Sequence, residues 1–179
     1  KQEIIDCLHV PDEDIVVIPS APSIGQDTLR PEDVMLKYRV KKPFILYVGT
    51  IEPRKNILRL ILAFERLKKE HGIPHSLVLA GGNGWNNKDI YWRAHASVYS
   101  EDIIFTGYVQ ENEKYALYKT ADVFVFPSIY EGFGLPPLEA MHFSCPVVTA
   151  KVSSLPEVVG DAAELTDCND ENQIAQSIW

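Results

Sequence analysis

Hydrophobic positions along the chain follow two alternating periods. Short, nearly continuous apolar runs occur at Ile15–Pro19, Phe44–Gly49, Ser76–Gly81, Ile103–Tyr108, Val123–Pro127 and Pro146–Ala150. They are rich in Val, Ile and Phe and mostly uncharged, the pattern of strands buried on both faces of a parallel sheet. Between them lie stretches of helical period. Asn56–Glu70 places Ile57, Leu60, Ile61, Phe64 and Leu67 on one face, with Lys68 and Lys69 in the last turn and Gly72 as a stop. Shorter helices are predicted over Lys88–Ser100, Asn112–Thr120 and Pro136–Phe143, the last opened by a proline whose missing N–H is harmless in a first turn. This alternation predicts an α/β fold: a doubly wound, Rossmann-like parallel sheet with helices on both faces. Ser20–Lys42, which holds Pro22, Gly25 and Pro31, reads as a long loop with one helical turn near Glu32–Tyr38. Glu171–Trp179 reads as an amphipathic helix stopped in its middle, which predicts that the chain has been cut there.

Composition then narrows the function classes. The 179 residues are 46% apolar and 23% charged, enough for one domain with its own core. Lys and Arg number 17 against 25 Asp and Glu, a net charge of −8 that disfavours non-specific binding to nucleic acid or an anionic membrane face. No apolar run approaches the ~20 residues that span a bilayer. The three cysteines, Cys7, Cys145 and Cys168, are odd in number and lack CxxC spacing, which argues against a disulfide framework and for a reducing compartment.

In a doubly wound sheet, ligands sit beyond the carboxyl ends of the strands. The segment after Phe44–Gly49 ends in Arg54-Lys55-Asn56 ahead of a helix. Two cations there form either a solvated turn or a phosphate clamp, and the residues alone leave both readings open. Gly82-Asn83-Gly84 reads as a tight turn. No GxGxxG and no GxxxxGK occurs, so neither a standard dinucleotide fingerprint nor a P-loop is present. After Val123–Pro127, Glu131 and Glu139 bracket a glycine-bearing loop running into a helix, with Glu131 expected in the loop and Glu139 in the first helical turn. Between them the N–H groups of Phe133, Gly134 and Leu135 are placed to face an anion. Each acid alone could be a dipole partner or a surface charge; together with the glycines and the Arg54-Lys55 loop they point to a site. His71 and His75 are separated by Gly72 and Pro74 and cannot align as metal ligands, His142 reads as a packing or surface residue, and no metal site is supported.

These residues resemble the C-terminal half of a retaining glycosyltransferase of the two-Rossmann-domain (GT-B) architecture, family 4 type. The resemblance runs from about Ile15 to the end and is carried by Tyr47-Val48-Gly49-Thr50-Ile51-Glu52-Pro53-Arg54-Lys55-Asn56, by Leu79-Ala80-Gly81-Gly82, by Gly107-Tyr108-Val109, by the Glu131-x7-Glu139 pair and by Ser153–Ala163. It implies a nucleoside-diphosphate sugar donor. Arg54 and Lys55 would neutralise the diphosphate and Glu131 would lie near the transferred sugar; these three are the candidate catalytic residues. Phe133, Gly134 and Leu135 would offer backbone N–H groups, and Glu139 would accept bonds from the ribose hydroxyls. Gly49 and Gly81 would permit close approach, and the backbone near Val109 would meet the base. The resemblance implies no cofactor and no metal.

It also implies that residues 1–14 come from an interdomain linker, that 15–179 form the donor-binding domain, and that an acceptor domain precedes Lys1. The chain alone is then expected to be inactive. The Gly-Thr-Ile-Glu-Pro-Arg-Lys-Asn form favours a mannosyl or rhamnosyl donor, with GDP ahead of UDP, and a glycan or lipid-linked acceptor. The expected location is cytoplasmic, with any peripheral membrane contact made through the missing domain. Ser20-Ala21, where relatives usually carry Asn-Gly, and His142-Phe143-Ser144, where small residues are common, depart from the family pattern without touching the donor site. Rival readings are a GT-B sugar-nucleotide epimerase, a glycogen synthase-like enzyme, and a non-catalytic nucleotide-sugar-binding module.

Overall fold

Five consecutive buried residues, Phe44 to Val48, build the central strand in the computed structural model, which describes residues 1–179. In chain order the elements are α1 (Gln2–Leu8), α2 (Pro31–Tyr38), β1 (Phe44–Val48), α3 (Ile57–His71), β2 (Ser76–Ala80), α4 (Lys88–Ala96), β3 (Ile103–Gly107), α5 (Glu111–Thr120), β4 (Val123–Phe126), α6 (Leu135–His142), β5 (Val147–Ala150), α7 (Leu155–Val159), β6 (Glu164–Thr166) and α8 (Glu171–Ile178). All six strands are parallel, in the order β3-β2-β1-β4-β5-β6. Leu46 stands between Val78 of β2 and Phe124 of β4. The doubly wound α/β expectation therefore holds. Because right-handed crossovers run outward from β1 in one direction and from β4 in the other, their helices fall on opposite faces of the sheet. No helix is long and apolar enough to cross a membrane.

Local signals set most boundaries. α3 buries Ile57, Leu60, Ile61, Ala63, Phe64 and Leu67, and it ends where Gly72, at φ 61°, returns its N–H to Lys68 O. Gln110 and Glu113 form a capping box at the start of α5, and Asp170 caps α8 through the N–H groups of Asn172 and Gln173.

Three expectations are corrected. Ile15–Pro19 is not a strand: it has no partner ladder, and Val16 and Ile18 are 80% and 83% exposed. An apolar run makes a strand only where another strand completes its hydrogen bonds. Ser20–Lys42 holds two helical turns, not one, because Pro31 starts α2 and Val34 anchors it in the core. The helix predicted to Ser100 stops at Ala96, where Ser97 turns extended and its Oγ accepts the Tyr99 N–H. α1, α7 and β6 were not expected; the last two are five and three residues long, too short to display a period.

Two polar devices hold the fold together around β1. Asn56, buried and at φ 58°, donates from Nδ2 to Pro127 O at 3.1 Å and to Cys168 O at 2.6 Å. It thereby ties the β1–α3 junction to the end of β4 and to the segment after β6. The second device is Glu113, which accepts from Lys37 and from Tyr38 Oη (2.6 Å), while Gly25 N–H donates to Tyr115 Oη at 2.9 Å. Together these contacts dock residues 25–38 on α5. Burial alone would raise the Glu113 carboxyl, but the hydrogen bonds from Lys37, Tyr38 and the Gln110 N–H outweigh it and hold the group below its ordinary value.

Asn56→Ala is expected to destabilise the protein by about 2–4 kcal/mol, since two buried carbonyls lose their donor and alanine is strained at positive φ. Asn56→Gly, free of that strain, should lose less; urea unfolding of the two variants separates the terms. A carboxyl lowered in the folded state contributes stability that is present above its unfolded value, near 4.5, and is lost as pH falls through the lower folded value. Glu113→Gln should therefore lower Tm by a few degrees at pH 7 and flatten the acid side of the Tm–pH curve.

Candidate functional site

The loops leaving β1 and β4 carry the charged residues, and the sheet order sets these loops side by side. Pro53–Lys55 makes a single 3-10 turn after β1. Arg54 O accepts the Ile129 N–H at 2.9 Å, and Arg54 Nη1 donates to Tyr130 O at 2.8 Å, so one main-chain bond and one side-chain bond lace the two loops together. Lys55 Nζ donates to Glu131 Oε1 at 2.6 Å, Arg54 Nη1 lies 3.2 Å from Glu131 Oε2, and Arg54 Nη2 donates to Glu52 Oε1 at 2.8 Å. Two cations thus face two carboxylates, and the cluster is electrically balanced. The Arg54 side chain is 41% exposed and that of Lys55 11%, so Arg54 is the cation presented to solvent. Below them Tyr47 Oη donates to Thr50 O at 3.1 Å; burial, then Glu131 and Glu52, push its pKa well up and keep it a neutral donor.

The Glu131 loop is pinned from its far side by the segment between β5 and α7. Glu131 N–H donates to Ser153 Oγ at 3.0 Å, and Ser154 Oγ shares its one proton between Glu131 O at 3.0 Å and Phe133 O at 2.8 Å. Gly134 stands at φ 106°, where a Cβ would meet Leu155 Cδ2 at 2.6 Å. The N–H groups of Phe133, Gly134 and Leu135 take no acceptor from the chain. Pro136 and Pro137 contribute no N–H, so the free donors at the start of α6 are concentrated on those three residues.

Glu139 is the fifth residue of α6, in its second turn and not its first, because the helix starts at Leu135. It is therefore no partner for the terminal dipole. Its carboxylate is held by α5: Tyr118 Oη donates to Oε2 at 3.0 Å, and Lys114 Nζ lies 3.2 Å from Oε2 and 3.4 Å from Oε1. Burial would lower the Lys114 pKa, but Glu111 and Glu139 hold it above its ordinary value.

The remaining predicted positions line the ends of β1, β2 and β3. Gly49 N–H donates to Ala80 O and Gly81 N–H to Gly107 O, each at 2.9 Å. A Cβ on Gly81 would lie 1.9 Å from Gly49 O, so the missing side chain lets these strand ends close up. Val109 buries its side chain, while its N–H and C=O have no partner in the chain. His71 ends α3 and stacks on Trp179, and His75 Nε2 lies 3.9 Å from Asp122, so the two histidines have separate partners.

Glu52, Tyr47, Ser153, Ser154, Lys114 and Tyr118 escaped the sequence reading as site residues. The four-residue spacing of Lys114 and Tyr118 does place them on one helix face. Nothing in the sequence shows that this face meets α6.

Comparisons with known proteins identify the family and the fold. The family model described as "Glycosyl transferases group 1" matches residues 33–178. The chain is 40% identical to the O-antigen chain mannosyltransferase B of Escherichia coli, over 99% of this chain and 48% of that protein. It is 32% identical to the MMP alpha-(1->4)-mannosyltransferase of Mycolicibacterium hassiacum, over 90% of this chain and 37% of that protein. The chain thus spans half or less of the curated relatives it matches. Among solved structures, it superposes on the C-terminal domain of a glycosyl transferase group 1 family protein (LpcC) from Francisella tularensis with a TM-score of 0.67 and 25% identity, covering 83% of this chain and 85% of that one. A glycosyltransferase from Rickettsia africae gives a TM-score of 0.79 at 20% identity over 99% of this chain and 49% of that one, a likeness of fold.

The Lys55–Glu131 pair joins two loops through nearly buried groups, so its members should be strongly coupled. In a double-mutant cycle with Lys55→Met and Glu131→Gln, unfolding free energies are expected to show a coupling of about 1–3 kcal/mol. Additive losses would mean that the pair does not hold the loops together.

Proposed function

The chain belongs to the group 1 glycosyl transferases, and on that premise we propose that it forms the donor-binding half of a retaining GT-B enzyme. The full protein would move a sugar from a nucleoside-diphosphate sugar to a glycan or lipid-linked acceptor held by a preceding domain. One observation carries the reading: two cations meet Glu131 across the loops that leave adjacent strands where the strand order reverses, and the same Glu131 loop runs on into three N–H groups without an acceptor in the chain. A nearly buried ion pair contributes little net stability compared with apolar packing. Its place at the mouth of a crevice is better explained by chemistry.

The leaving diphosphate gains negative charge as the glycosidic bond breaks. Arg54, Lys55 and the N–H groups of Phe133, Gly134 and Leu135 would stabilise that charge, and preorganised donors of this kind act with little reorganisation. No metal is required in this scheme, because two cations and the start of α6 supply the positive field. Glu131 would position and stabilise the transferred sugar. Both its oxygens already meet cations, at 2.6 and 3.2 Å, which lowers its worth as a nucleophile. Glu139 would accept from the ribose hydroxyls, and the unpaired N–H and C=O of Val109 would read the base edge. The mannosyltransferase relatives support a mannose donor, and GDP is the nucleotide we assign to it.

Calorimetric titration of the full-length protein with GDP, UDP, dTDP and ADP, in the presence of a chelator, tests the reading directly. GDP is expected to bind best and without metal, and Lys55→Ala should weaken it by roughly tenfold or more, the scale of a charge-assisted bond. An unchanged affinity would remove the diphosphate role from Lys55, and a strict need for magnesium or manganese would remove the metal-free scheme. The glutamates should separate in kinetics. Glu131→Gln is expected to lower kcat with GDP affinity nearly unchanged, whereas Glu139→Gln should weaken GDP and the intact donor alike.

A further inference from the structure

Beside Glu139, on α5, stands a donor whose position is set by the core. Tyr118 is fully buried, its ring edge-on to Phe124 at 5.4 Å and stacked with Phe143 at 6.2 Å. Its hydroxyl has one partner in the chain, Glu139 Oε2. A buried hydroxyl left without a partner is costly, so the packing of α5 dictates where one carboxylate oxygen of α6 must sit. Lys114, one turn earlier on α5, approaches the same oxygen and is itself bonded to Glu111 Oε2 at 3.0 Å. Oε2 therefore has both its acceptor sites engaged, by Tyr118 and Lys114. Oε1 has only the 3.4 Å approach of Lys114 and keeps acceptor capacity.

We propose that Tyr118, backed by Lys114, is a positioning residue that locks the Glu139 carboxylate with Oε1 turned to the ligand, and that this lock sets the protein's preference for a ribonucleoside over a deoxyribonucleoside diphosphate. The proposal rests on the ribose role assigned to Glu139 above. An oxygen fixed in this way meets one hydroxyl of the ribose diol at a defined place, so removal of that hydroxyl is felt fully. A carboxylate free to rotate would re-pair with whichever hydroxyl remains, and discrimination would fade.

The test compares GDP with 2′-deoxy-GDP and 3′-deoxy-GDP, and UDP with its deoxy forms, on the full-length protein by calorimetry. The wild type is expected to bind one of the two deoxy forms roughly tenfold or more weaker than the ribonucleotide. Tyr118→Phe, which keeps the ring and removes the hydroxyl, should reduce that ratio several-fold while GDP itself weakens less. Lys114→Met should act in the same direction and Lys114→Arg should restore the ratio, which keeps the test open should Tyr118→Phe fold poorly. A purely structural role for these residues would lower affinity for all the diphosphates equally. An unchanged ratio in both Tyr118→Phe and Lys114→Met overturns the lock while leaving Glu139 on the ribose. A wild type indifferent to the deoxy forms removes the ribose role of Glu139 and the lock with it.

Discussion

Everything at the site depends on the adjacency of β1 and β4. These parallel strands are neighbours in the sheet although 74 residues of chain separate the end of one from the start of the other. From β1 the chain steps towards β2 and from β4 towards β5, so the two outgoing loops part company as they leave the sheet. In open α/β sheets such a divergence marks the crevice where ligands bind, beyond the carboxyl ends of the strands. Lys55 and Glu131 reach across it and meet at 2.6 Å.

The loops on either side of it are fixed by hydrogen bonds. Asn56 fastens the start of α3 to the end of β4, and Ser153 and Ser154 fix the backbone of the Glu131 loop. At the other side, Gly81 lets its strand end approach the Gly49 carbonyl more closely than any side chain would allow. Such fixing matters for chemistry that works through electrostatics, since donors and charges already in place need not reorganise during reaction. The pairing also explains how Lys55, Glu52 and Glu131 are tolerated at low exposure beside the more exposed Arg54. Each charge has an opposite within hydrogen-bonding distance, and none is left unpaired.

The two glutamates differ in what supports them. Glu131 is set in a loop and answers to cations from β1's side of the crevice. Glu139 is set on α6 and answers to α5, where a tyrosine locked among aromatic rings and a lysine with a second acid hold it. In the proposed reaction the first would stand beside the transferred sugar and the second beside the ribose. Their neighbours differ, although only eight residues separate them.

Much of this was legible before any coordinates. The β1–β5 and α3–α6 segments carry unmistakable periods, and the residues after β1 and β4 stand out because charge and glycine follow apolar runs there. The acid pair and the basic pair were visible as residue types beside β1 and β4, although Glu139 falls one turn later in its helix than its place in the sequence suggested. Other features required the third dimension. Ile15–Pro19 has the look of a strand, but backbone groups without a partner ladder do not make one. β6 needs only three residues because β5 supplies its hydrogen bonds. The order of the strands, and hence which loops face each other, is set by how amphipathic helices pack on both sides of the sheet. Periodicity within a segment carries no trace of that choice. The sequence alone thus determined the class of fold and the candidate charges. The tertiary structure decided their partners: Lys55 and Arg54 with Glu131, and Tyr118 with Glu139, because each of these contacts joins elements or turns whose meeting is a property of the packed sheet and not of any one stretch of chain.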